Sequence, residues 1–417
     1  MEPAVLTAPG AAVERASTRL RFDAPDLLRG IVMVVMLLDH TRDFTHADSL
    51  KFDPTDLAQT SALLFFTRWI THYCAPLFVL LAGIAASFQH QRGKSTRKLS
   101  SFLFKRGLWL CLMEVVVIRA LMFWTVAPTF FFLQVIWAIG VSMICLSVMV
   151  RLPKRLTLAI GAALVAGHNL FDTIHIPDWP GPGSPGPSAL GELWMFLHQA
   201  GPFPIAGWPS PVVMTQYPVL PWIGVMALGW VLGDVYTRPA ERRRRVLATV
   251  GLALTLAFIL IRAANGYGDP SPWSSQRSLS FTVLSFLNTT KYPPSLLYLL
   301  MTIGPGLMVL AWFDRVEPGR RNRFAQALIT FGRVPLFFYV LQWVYAKSAG
   351  FLLSAAVGRD TSIYFQLPFE WAWNERIGFS LAVTYAVWML GALLLYFPCR
   401  WFARVKARRS DWWLSYV

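Results

Sequence analysis

Charge is what this 417-residue sequence has least of. Asp, Glu, Lys and Arg make up 14% of it, against about 25% in soluble domains, which excludes an ordinary globular surface. Acidic residues are the scarcer sign, 22 against 38 basic, leaving a formal net charge of +16. The basic residues stand in short runs between apolar segments rather than in a stripe, so nucleic acid is not the expected partner. Only 4 cysteines occur, none in a C-x-x-C pair. Cys74, Cys111, Cys145 and Cys399 all lie in apolar runs and read as small core residues rather than disulfides or metal ligands. Residues 1–18 lack the apolar stretch of a secretory signal and read as a short disordered cytosolic tail. There is no P-loop and no G-x-G-x-x-G, so a nucleotide-containing ligand would have to bind among helices by another device.

What is present is apolar length. The chain is 55% hydrophobic, with a mean hydropathy of +0.47, and near-spanning apolar runs recur along all of it. An all-α, polytopic membrane protein follows, with about ten transmembrane helices in one bundle. The expected spans are 27–45, 69–90, 106–125, 129–150, 156–176, 218–236, 246–264, 294–313, 328–348 and 377–400. They form one domain over 19–405, followed by a cytosolic tail over 406–417. Most of the 38 Lys and Arg fall at every second connection, in stretches such as "QRGKSTRKLSSFLFKR", "RPAERRRR" and "RWFARVKARR". Positive-inside bias then puts both termini in the cytosol. The opposite connections carry Trp179, Trp194, Trp208, Trp273, Trp371 and Trp373. Interfacial belts and packing are the main expectation for these rings, with sugar stacking or sealing of a cavity as the alternative.

The stretch "RGIVMVVMLLDHTRDF", Arg29 to Phe44, joins an apolar helix to a cluster of ionisable groups. Arg29 and His40 are eleven positions apart, three helical turns plus about 20°, so they share one face about 16 Å apart along the axis. An intramembrane charge costs about 2.5–3.5 kcal/mol, so Asp39 and His40 are expected to face protein or a cavity. A packing cluster of Asp39 or Asp43 with Arg42 would account for them. A histidine beside two carboxylates is also how a general base is oriented and tuned. In "GHNLFDTIHIPDW", His168, Asp172 and His175 follow i, i+4, i+7 spacing and would form one polar stripe. Without a further ligand in view, a hydrogen-bonded acid/base site is preferred to a metal there, and no metal is expected. Glu114 sits mid-span and needs a partner from another helix, and Gln134 and Arg333 are further polar positions within spans. His72 is a candidate for the outer cluster or a structural histidine.

These residues carry a resemblance. "DLLRGIVMVVMLLDHTRDF", "APLFVLLAGIAAS", "LQVIWAIGVSMI", "GHNLFD", "YPVLPWIGVMALGWVLG", "KYPPSLLYLLMTIGP" and "FGRVPLFFYV" together resemble the bacterial branch of the heparan-alpha-glucosaminide N-acetyltransferase-like proteins. The Arg-x10-His spacing also resembles that of the wider transmembrane acyltransferase superfamily. The resemblance implies an acyl group, expected to be acetyl, taken from cytosolic acyl-CoA and delivered to a sugar or glycan on the other side. It carries the transferring histidine to His40 and the donor-binding arginine to Arg29, joined by Arg106 and Arg333. Asp39 or Asp43 would orient His40. His168 and Asp172 are the further catalytic candidates. Asn169, Arg42, His72 and Lys291 are the candidates for the acceptor. A bacterial inner membrane is the expected location, the bilayer and the glycan are the expected partners, and a homodimer is left open. Two departures stand out. The loop after the first span reads "HADSLKFDPTD" where characterised lysosomal members have a "HASWNG"-like stretch, and "FFYVLQW" places Gln342 where the bacterial relatives are expected to carry histidine. The rival reading is a transporter or flippase using the same intramembrane His, Asp and Glu groups.

Overall fold

The computed structural model describes residues 22–48, 51–316, 320–366 and 378–416. The tail 1–18, Trp371 and Trp373 lie outside them. The chain is mostly helical. In order, the helices are α1 (Asp23–Thr45), α2 (Ala62–Trp69), α3 (Cys74–Gln91), α4 (Thr96–Leu112), α5 (Arg119–Phe123), α6 (Val135–Met149), α7 (Lys154–Gly167) and α8 (Ala189–Leu197). They continue with α9 (Leu220–Leu232), α10 (Ala240–Ala264), α11 (Leu279–Leu287), α12 (Leu296–Phe313), α13 (Arg323–Arg333), α14 (Pro335–Ala356) and α15 (Leu381–Arg408). Side-chain caps start several of them: Ser61 opens α2, Ser95 opens α4, Ser295 opens α12 and Asn322 opens α13.

Among the described residues, six helical stretches are long and apolar enough to cross a membrane: Ala62–Gln91, Leu220–Thr237, Ala240–Ala264, Leu296–Phe313, Pro335–Ala356 and Leu381–Arg408. The other expected spans look different, each for a visible reason. α6 and α7 have 15 and 14 residues, short of the ~20 that a bilayer core asks for. α4 opens on a basic stretch and passes through a π-turn at Met113–Ile118 before α5. The 328–348 segment is divided into α13 and α14, with Pro335 setting the first turn of α14.

α1 has length enough but carries too many ionisable groups. It can do so because α3, α12, α13, α14 and α15 all pack against it. Leu28, Val32, Met33, Met36 and Leu37 are buried in that packing, so its polar positions meet protein and cavities rather than lipid. Its closest crossing is with α13. A Cβ on Gly30 would stand 1.8 Å from the Leu328 carbonyl oxygen, and one on Gly332 would stand 1.9 Å from that of Asp26. Only two glycines allow this backbone contact.

Two expectations are corrected. The 129–150 segment is not helical throughout. Phe130–Leu133 is a strand, β1, parallel to β3 (Val212–Thr215), which also pairs antiparallel with β2 (Gly201–Pro204). "FFFL" is apolar in either conformation, and its partners come from a distant Pro- and Gly-rich connection, so periodicity could not find them. Second, α7 stops at Gly167. His168–Phe171 is a 3₁₀ turn and the chain then extends, which breaks the expected helical stripe of His168, Asp172 and His175.

Candidate active site

α1 runs past two cavities, one at each end. The first, of about 290 Å³, is lined by Arg29, Arg106, Arg333 and Lys406, with Met33, Ala82, Ala86, Ile139, Met143 and Leu336 as apolar wall. Arg29, Arg106 and Lys406 come from ends expected on the cytosolic side, and the structure brings them together. Arg29 is fixed by the α1–α13 crossing, since its Nη1 donates to the Gly332 carbonyl and to Asp26 Oδ1, each at 3.0 Å. Arg106 donates to the Ser415 carbonyl, and Phe102 packs on Tyr416 with ring centres 5.9 Å apart. The C-terminal segment therefore folds back onto α4 and closes one side of the cavity. Arg333 is 40% exposed and lies 3.4 Å from Asp23 Oδ1.

The second cavity, of about 600 Å³, holds the ionisable end of α1. Asp39, His40, Arg42 and Asp43 line it, with Asp53, Arg68, Lys291, Gln134, Gln216, Tyr217, Tyr292 and Trp343. β1, β2 and β3 contribute Phe130, Phe132, Pro202 and Met214 to its wall. Met36 and Val135 line both cavities, so the two abut through one shared apolar partition.

Asp39 is held between two guanidinium groups. Arg68 Nη1 donates to Oδ1 at 2.7 Å and to Oδ2 at 2.5 Å, while Arg42 Nη2 stands 3.0 Å from Oδ1. Arg42 Nη2 also donates to Asp43 Oδ1 at 2.6 Å. The packing cluster considered from sequence exists, and Arg68 completes it. That residue was missed because α2, which carries it, reads as loop in a sequence scan. The signal was its Ser61 cap, followed by an apolar run. Arg42 Nε and Nη1 are buried without a partner among the described residues.

His40 stands apart from that pair. Its ring lies 4.0 Å from the Trp343 ring, centre to centre. Its Nδ1 is buried without a hydrogen bond and faces Asp43 Oδ2 at 3.9 Å. One small closing movement would make Asp43 the carboxylate that fixes the imidazole tautomer, with Asp39 as structural counter-ion to Arg68. In the loop after α1, burial alone would raise the Asp53 carboxyl, but the charge of Arg68 and the backbone N–H and hydroxyl of Thr55 hold it below its usual range. Three carboxylates and three cations line this cavity, so its charge is close to balanced apart from His40.

Other candidates lie elsewhere. His168, Asn169 and Asp172 are not among the residues lining either cavity. Asp172 Oδ1 meets His198 Nε2 at 3.1 Å, and Asn169 Nδ2 donates to Asp172 Oδ2 at 2.8 Å. His175 is exposed beside Asp178. His72 is buried against Tyr298, with ring centres 5.5 Å apart, and its neighbours Thr71 and Cys74 reach the second cavity instead. Lys291 does line that cavity, beside the Tyr292 ring. Glu114 finds its partner at a helix start, accepting from the Trp137 backbone N–H at 3.1 Å. Gln342, next to Trp343, is fully buried with both amide atoms unpartnered among the described residues. Of the outer tryptophans, Trp179 packs on Trp208 and Trp194 on His198, which are packing roles.

The family described as "Heparan-alpha-glucosaminide N-acetyltransferase, catalytic" matches residues 21–264, more than half of the chain. The matched stretch includes Arg29, His40 and Arg68, while Lys291, Arg333 and Trp343 lie beyond it. No curated protein matches the chain.

Proposed function

The chain belongs to the heparan-alpha-glucosaminide N-acetyltransferase catalytic family, and on that premise we propose that it is an acyl-CoA-dependent acetyltransferase acting across its membrane on a sugar. The single observation that carries this reading is the partition. A cationic cavity and a histidine cavity occupy opposite ends of one helix and share Met36 and Val135. Arg29, Arg106, Arg333 and Lys406 suit the phosphates of the donor through charge-assisted hydrogen bonds. The apolar wall between suits the pantetheine arm, which would pass Met36 and present its thioester beside His40. Eleven residues of helix, about 16 Å, separate the two functions. Ten spans, cytosolic termini and a bacterial inner membrane belong to the same proposal.

Chemically, His40 takes the proton of the acceptor hydroxyl or amine through Nε2, the nitrogen left for the cavity. The acceptor attacks the thioester carbonyl, the C–S bond breaks, and the departing thiolate takes from the imidazolium the proton that the acceptor gave up. Asp43 stabilises that imidazolium from the Nδ1 side. In the two-step variant the acyl group rests on Nε2 before the acceptor arrives. The balanced charge of the cavity, with Tyr217, Tyr292, Gln134, Gln216 and Trp343 in its wall, fits a polyhydroxylated acceptor of low net charge.

Met36→Trp tests the partition. Labelled acetyl-CoA should still bind the solubilised variant, while label transfer to glucosamine is lost. If transfer continues at the normal rate, the thioester does not pass this point and the proposed route fails.

A further inference from the structure

The His168 cluster is left without a role by the chemistry at His40, and it has the form of a ligand set. His168, Asp172 and His198 place three ligand atoms within 4.8 Å of one another. His168 and His198 are 2% and 3% exposed. The Asp172–His198 contact explains two of the three residues as an ordinary hydrogen bond, but it leaves His168 unexplained. Both of its ring nitrogens are buried with no partner among the described residues, as is His198 Nδ1. Burying an imidazole with neither nitrogen satisfied is costly, and a bound cation would take one of the two as its ligand.

We infer that His168, Asp172 and His198 bind a divalent ion of the zinc class, separate from the acyl-transfer site. Two imidazoles and one carboxylate are a ligand set that zinc accepts, with a fourth position left for water. Ligands about 2.0–2.2 Å from one ion sit closer together than the widest separation here, so loading the site needs a modest inward turn of the rings. The outer shell is already in place. Asn169 holds Asp172 Oδ2 through its Nδ2, leaving Oδ1 for the ion, and its own Oδ1 accepts from the Leu296 backbone N–H at 2.9 Å. Such second-shell partners fix ligand orientation. The ion would therefore tie the 3₁₀ turn after α7 to the end of α8, with Asn169 anchoring both to the start of α12. None of the three ligands lines either cavity, so the ion takes no part in the chemistry at His40. Gly201, three residues beyond His198, begins β2, whose Pro202 lines the His40 cavity, and the ion would hold that wall in place.

The test uses the full chain, purified in detergent without a polyhistidine tag, stripped with chelator and titrated with zinc chloride alone. One ion per chain should bind, with a higher thermal midpoint in the presence of zinc. Cobalt in its place should give the visible absorption of a four-coordinate nitrogen- and oxygen-ligated site. His168→Ala and His198→Ala should lose this ion, and Asn169→Ala should weaken it about 10- to 100-fold, while His90→Ala leaves it unchanged. The inference is overturned if the stripped wild-type chain binds no zinc, or if binding and midpoint survive in His168→Ala. The wild-type titration decides the matter even where a ligand variant fails to fold, and its outcome is independent of the acyltransferase reading.

Discussion

His40 beside Asp43 and His198 beside Asp172 are the same chemical pair in two settings. The first lines a cavity of about 600 Å³ that adjoins a cationic pocket across Met36 and Val135. The second is walled in by a second histidine, by Trp194 and by Asn169. In composition they are alike, but the sequence marks only the first as a pair, since it sets Asp172 beside His168 and His175 rather than His198. Access separates them. A base must be reachable by the proton it removes, and only the first pair meets a space large enough for a second reactant. The buried pair is suited to holding something small and permanent.

The sharpest way to break this contrast is to remove each histidine in turn. His40→Ala should lower the transfer rate by about 10²–10⁴-fold with acyl-CoA binding intact, whereas His198→Ala should show its main effect on thermal stability. Equal losses of rate in both variants would merge the two sites again. Arg68→Ala comes next. It leaves Asp39 with Arg42 as its remaining partner, so the loss should be about 1.5–3 kcal/mol, the worth of hydrogen bonds to a charged group. Chemical denaturation should show that loss, and an Arg68→Ala protein as stable as the wild type would mean that Asp39 is not held by this pair. Arg29→Ala should weaken acyl-CoA binding by about 1.5–3 kcal/mol, the worth of hydrogen bonds to a charged group, leaving the Gly30–Gly332 crossing intact. Titration calorimetry reads this directly, and unchanged affinity would return Arg29 to helix anchoring. Arg333→Ala should have the smallest effect on stability. Its side chain is 40% exposed and its ion pair with Asp23 is long, so stability should change by about 0–1 kcal/mol.

What could be read beforehand follows the range of the interactions. The shared face of Arg29 and His40 is a property of one helix, so 3.6-residue periodicity was enough to see it. That this helix would be encircled, and so able to hold Asp39, Arg42 and Asp43, depended on five other helices. Arg68 and Lys291 reach the cavity from segments far apart in sequence, and nothing local marks either as a neighbour of Asp39. His175 was paired with His168 by assuming that α7 continues. The helix ends at Gly167, and the true neighbour, His198, comes from the far end of a Pro- and Gly-rich connection. β1 escaped detection because "FFFL" fits a buried strand and a membrane helix equally well.

The central claim, that an acyl group enters at the Arg29 end and leaves at the His40 end, is tested most directly in sealed proteoliposomes. The purified protein would be inserted with labelled acetyl-CoA outside and glucosamine trapped inside, and the vesicle contents analysed after removal of external label. The account predicts labelled N-acetylglucosamine inside vesicles whose protein presents the Arg29 end outward, and none with His40→Ala. Labelled product confined to the outer medium, or free labelled donor accumulating inside without acylation, would contradict it.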